Sequence, residues 1–128
     1  MKFDYEKIEG EFLPIVPIKL RSSIGFFNFK AFVDSGASYS LFHSDVAQLL
    51  GINLEEGERK EIVVGDSDTI IVYVHKILVS LAGKEFEASI GFSKDFTINF
   101  YVIGRKTIFE HFLVSFNERK KEIEFKSH

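Results

Sequence analysis

Apolar and polar residues alternate along much of the chain, and a period of two predicts strands rather than helices. Residues 26–33 show it most clearly. Phe27, Phe29, Ala31 and Val33 fall on one face, and Phe26, Asn28, Lys30 and Phe32 on the other. Residues 13–21 have strand composition, with Pro14 and Pro17 marking an edge or a bulge because proline cannot donate to a ladder. Residues 62–64 and 69–81 predict a hairpin whose tip is Gly65-Asp66-Ser67-Asp68, preceded by a charged loop over 53–61. Further strands are expected at 85–92, 97–103, 113–116 and 123–125. Two short helices are expected. One covers 45–50, with Ser44 as its N-cap and Gly51 closing it. The other covers 106–112, with Ile108, Phe109 and Phe112 as its apolar face. Residues 1–12 fit either an arm or a first strand. About eight strands with two short helices make a mostly-β barrel or sandwich.

Composition narrows this picture a little. The chain has 128 residues, enough for one domain spanning 1–128 that hides roughly two thirds of its unfolded surface. There are 15 Phe and no Trp, so most of the aromatic area belongs in the core. The net charge of −3 argues against a broad nucleic-acid footprint. Without cysteine there is no disulfide, thiolate nucleophile or Cys-ligated zinc. The first residues lack the apolar core of a signal peptide, and no apolar run reaches membrane-span length. The expectation is a soluble, cytoplasmic protein without a membrane partner.

Two stretches carry candidate chemistry. Residues 29–38 read FKAFVDSGAS, an apolar strand running into Asp34-Ser35-Gly36-Ala37. Residues 100–105 read FYVIGR, an apolar strand stopped by Gly104. Gly36 permits a sharp turn and leaves its N–H free to face a carboxylate. Ser35 can tie down a neighbouring loop, and Ala37 keeps the wall beside Asp34 small. One such carboxylate is a weak catalyst. Two held about 3 Å apart share a proton, so that one activates water while the other protonates a carbonyl oxygen.

The residues Phe32-Val33-Asp34-Ser35-Gly36-Ala37-Ser38 resemble the first motif of the retroviral-type, retropepsin-like aspartic proteases. Tyr101-Val102-Ile103-Gly104-Arg105 is similar to that group's second motif, apolar residues before a glycine, and the hairpin at 63–73 stands where the family has its flap. The resemblance spans 13–125 and is closer to the cellular and bacterial single-domain members than to the viral enzymes. It implies a mostly-β, closed acid-protease barrel with two short helices and one flap per subunit. Asp34 would be catalytic, with Ser35, Gly36 and Ala37 supporting it. Val64, Gly65, Asp66 and Ser67 would form the substrate-binding flap, and Ile103, Gly104 and Arg105 the second motif. With a single Asp-Ser-Gly, the resemblance implies a homodimer that cleaves an extended peptide or protein, without metal or cofactor. Three features depart from the family: serine follows Asp34, Ser38 replaces an aspartate that would pair with Arg105, and aspartates occupy the flap tip.

Plainer readings exist for each part. Asp-Ser-Gly alone is a common turn, and Gly104 alone would be a helix-start turn. Asp66 and Asp68 lack the other ligands of a calcium loop. His43, His75, His111 and His128 show no metal spacing and read as structural or exposed. Two rivals remain for the whole chain: a dimeric peptide-binding module of the same fold with weak or no catalysis, and an unrelated monomeric β-barrel for an apolar ligand.

Overall fold

The computed structural model describes residues 1–65, 68–97 and 99–128. Its centre is a ring of strands: β4 (Ile15–Ser22), β5 (Gly25–Val33), β10 (Tyr101–Ile103), β6 (Ser40–His43), β9 (Lys84–Ser93) and β8 (Asp68–Leu81). The ring closes because β8 returns to β4, pairing Lys19 with Ser80 and Leu20 with Val79. β7 (Glu58–Val64) hangs outside it, and among the described residues its one strand partner is β8. The alternation read from the sequence is what makes closure possible. Val16, Ile18 and Leu20 of β4 point inwards and are wholly buried, as are Ala31 of β5, Phe42 of β6, Val79 of β8 and Ile90 of β9. Each fully buried Val, Leu, Ile or Phe side chain contributes about 1.5–3 kcal/mol through the hydrophobic effect.

A second, smaller apolar cluster decides where the site lies. Leu41, Ile70, Val72, Phe96 and Val102 are buried together, and Ala37, Tyr39, Ile62, Val64 and Val74 pack on them. This cluster ties the inner face of β7 to the wall beside Asp34.

Residues 1–12 resolve into strands: β1 (Lys2–Asp4), β2 (Glu6–Ile8) and the start of β3 (Glu11–Leu13). β2 and β3 form a hairpin. β1 joins β12 (Glu122–Ser127), which pairs with β11 (Phe112–Asn117), giving a three-stranded terminal sheet in the order β1-β12-β11. Phe125 meets Phe3 and Phe112 edge to face, at 6.0 and 5.3 Å between ring centroids.

Several local expectations need correction. The short helix expected over 106–112 is shorter than that. The chain turns through Lys106 and Thr107, whose φ is +63°, and only Phe109–His111 makes a 3-10 turn. The left-handed Thr107 interrupts any longer helix, and the apolar residues that mimicked a helical face, Ile108 and Phe112, are buried by tertiary packing. One α-helix remains, α1 (Ser44–Leu49), and its N-cap is His43, whose Nδ1 accepts from the Asp45 amide at 3.1 Å, in place of Ser44. Gly51 follows α1 at φ +76°, a left-handed position that suits glycine. The charged stretch expected as loop up to Glu61 is strand from Glu58 onwards, because β8 supplies its partners from Val74 to Asp68. The strand expected over 97–103 is three residues long, Tyr101–Ile103. Pro17 causes no loss in β4, since β8 reaches that strand only at Lys19 and Leu20.

Candidate active site

β5 and β10 lie side by side and parallel, pairing Tyr101 with Ala31, Val102 with Phe32 and Ile103 with Val33. Both strands therefore end at the same level, and their two motifs emerge together. The Asp34 amide donates to the Ile103 carbonyl at 2.9 Å, which fixes the first residue of the turn. The turn then folds on its own carboxylate: the Gly36 N–H donates to Asp34 Oδ1 at 2.9 Å, and the Ala37 N–H to the Asp34 carbonyl at 3.1 Å. A Cβ on Gly36 would stand 3.2 Å from that same Oδ1. Asp34 is half-buried, while Ser35 and Gly36 are exposed.

The two loops then cross. Arg105 N–H donates to the Ala37 carbonyl and Lys106 N–H to the Ser38 carbonyl, each at 2.9 Å. Beneath them, Gly104 N–H donates to the buried Ser40 Oγ at 3.0 Å. Any Cβ on Gly104 would overlap the Tyr39 backbone, so only glycine lets the second loop approach this closely. The carboxylate of Asp34 is thus held by a lattice of backbone bonds that leaves little freedom to the loop carrying it.

Asp34 borders a cleft of about 440 Å³. Its floor is Gly36, Ala37, Ser38, Leu41 and Val102, and Tyr39 stands at the wall. Its roof is the β7 arm of the hairpin, from Glu61 to Gly65. Val64 and Gly65, expected in the flap, border the cleft, whereas Asp66 and Ser67 lie outside the described residues. Ile103, Gly104 and Arg105 do not line the cleft; their backbones brace its floor. Ser35 faces another way. With Asp34 it borders a second depression of about 330 Å³, lined by Phe12, Phe32, Phe116 and Glu118 among others.

Sequence reasoning missed Tyr39, Ser40, Lys106 and Ile62. Lys106 Nζ donates to the Tyr39 hydroxyl at 3.0 Å and lies 4.4 Å from its ring centroid. That hydrogen bond foremost, together with the charges of Lys106 and Lys60, pulls the Tyr39 phenol below its usual pKa. Period-two alternation along β7 was the available signal for Ile62; nothing local announces a contact between Tyr39 and Lys106. A larger groove near Lys30 and Phe100 gathers no comparable set, and its Lys30 is paired with Glu6 at 3.2 Å. Of the histidines, His43 caps α1, His75 Nε2 is 2.8 Å from the Leu54 carbonyl and His111 stacks on Phe86. No group of three or more His, Asp or Glu suited to a metal ion occurs among the described residues.

No protein-family model and no curated protein matches the chain. Solved structures do. The chain is similar to a retropepsin-like aspartic protease from Rickettsia conorii, at 19% identity and a TM-score of 0.65, covering 98% of this chain and 90% of that one. It is also similar to EIAV protease complexed with the inhibitor HBY-793, at 13% identity and a TM-score of 0.56, covering 78% of this chain and 88% of that one. The chain has the retropepsin-like fold, mostly β, in agreement with the resemblance read from its two motifs.

Proposed function

We propose that the chain is an aspartic endopeptidase that works as a homodimer, with Asp34 of each subunit forming one dyad. The observation that carries this reading is the placement of Asp34: a half-buried carboxylate, braced by the crossing of two loops, at the edge of a cleft roofed by a hairpin. An extended peptide would lie between the dyad and the hairpins of both subunits, with Val64, Gly65, Asp66 and Ser67 acting as the flap. One Asp34 carboxylate takes a proton from water as the water oxygen attacks the scissile carbonyl. The protonated partner gives its proton to the carbonyl oxygen. The tetrahedral intermediate then collapses, with a proton passing to the leaving amine. No covalent enzyme intermediate forms, and no metal or cofactor is called upon.

Ser35 has a natural place in this scheme. It is exposed beside Phe12, Phe32 and Phe116, where a second subunit could cover it and accept its hydroxyl bond. No described helix is long and apolar enough to cross a membrane. Action in the cytoplasm, without nucleic acid or membrane, belongs to the same reading.

The test is cleavage of a mixed peptide library from about pH 4 to 7, comparing the native chain with Asp34→Asn. The expected result is cleavage that falls by about 10⁴-fold or more in the variant. Equal cleavage by both proteins would remove Asp34 from the chemistry. A native dimer that binds extended peptides without cutting them would replace the enzyme with a peptide-binding module.

A further inference from the structure

The cleft has one wall whose charge the proposed dyad does not use. We infer that this wall, at Tyr39, is a subsite for an acidic side chain of an extended peptide, held by the ammonium groups of Lys60 and Lys106. The inference rests on the peptide-cleaving role proposed for the same cleft and adds a substrate class to it.

One cation lies against the phenol, and β7 carries another on the strand face that packs beside it. Lys106 follows the second motif, and its Nζ is fixed by the Tyr39 hydroxyl at 3.0 Å and by the face of the ring at 4.4 Å. Lys60 stands on β7 in step with Ile62 and Val64, the half-buried positions that pack beside Tyr39 and Ala37. The lowered pKa of Tyr39 follows from both ammonium groups and agrees with this placement.

Most of the nearby charges are paired, and the ammonium of Lys106 is the exception. Glu58 lies 3.1 Å from Lys60 and offsets part of its charge. Glu61 borders the cleft, but its carboxylate is engaged 3.5 Å from Arg59. Asp34 is turned towards the Gly36 N–H. Among the described residues no carboxylate forms an ion pair with Lys106. An ammonium has three donors, and the phenol takes one, so a carboxylate of the peptide can accept from those that remain.

Binding to Asp34→Asn reads this subsite without turnover. A short, extended, otherwise apolar peptide carries Glu, Gln or Lys at each position in turn, and its fluorescence anisotropy is followed. Glu should bind about tenfold more tightly than Gln at one position or at a symmetric pair, the ratio expected of a charge-assisted hydrogen bond. The preference should vanish in Lys60→Met/Lys106→Met and turn towards Lys in Lys106→Glu, with circular dichroism showing each variant folded. Equal affinity for Glu and Gln at every position, or a preference that survives the double substitution, overturns the subsite. Library cleavage by the native chain separates the two proposals. Cutting without acidic preference sinks the subsite alone, whereas Glu-selective binding without cutting sinks the catalytic role alone.

Discussion

Gly104 is where the two loops of the site touch, and its missing side chain sets how closely they can approach. Because a Cβ there would overlap the Tyr39 backbone, Gly104→Ala should cost about 1–3 kcal/mol through overpacking. Urea unfolding at fixed protein concentration measures this, and an unchanged midpoint would contradict the account. Ser40→Ala should cost a similar amount, about 1–3 kcal/mol, by leaving the buried Gly104 N–H without an acceptor. The tyrosines offer a second check. Burial pushes the Tyr5 phenol up to about 12, helped by its hydrogen bond to Glu118 at 3.0 Å. Its folded pKa is raised, so the stability it contributes is whole below the unfolded value of 10.0 and is lost as pH rises towards 12. Tyr39 has the opposite sign, and its contribution appears only as pH rises through its lowered pKa. An alkaline absorbance titration should therefore show one early and one late phenol, removed respectively by Tyr39→Phe and Tyr5→Phe. Loss of neither phase in these variants would contradict the assignments.

The β7–β8 hairpin differs from every other part of the central sheet. β8 is paired on both sides within the ring, with β9 and, at Lys19 and Leu20, with β4. Among the described residues β7 has β8 alone, and Val63 on its outer face is 66% exposed. Amide hydrogen exchange should be faster in β7 than in β5 or β9, and a bound peptide should slow it. A hairpin as protected as the barrel, with or without peptide, would argue against its acting as a flap. The two motifs and the hairpin were legible in the sequence because strands, tight turns and glycine stops are written in short-range patterns. The length of the second helix was over-read because Ile108 and Phe112 repeat at a helical spacing, while only Phe109–His111 is helical and both flanking residues are buried by tertiary packing. Strand Glu58–Glu61 was hidden by its charges, which a strand with a single partner can carry on its open side. The Tyr39–Lys106 contact joins residues 67 positions apart, and no local pattern encodes it.

At the level of the whole molecule, the proposed dyad would take half of its chemistry from each chain. Each copy carries one Asp-Ser-Gly and one cleft under one hairpin. Beside the cleft lies the aromatic depression of Phe12, Phe32 and Phe116, reached by Ser35, and next to it in the fold is the terminal sheet β1-β12-β11. Phe12 is 48% exposed, as expected of a surface that a second copy would bury. A dimer built there would join both carboxylates into one centre, so catalysis and assembly would be lost together. Subunit poisoning tests that coupling most directly. Native chain and Asp34→Asn are mixed in equal amounts, unfolded, refolded together and assayed against the same total concentration of native protein. A shared dyad predicts that about a quarter of the activity remains, because only dimers with two native copies work. Retention of about half would mean that each chain acts on its own, and the dyad would be refuted.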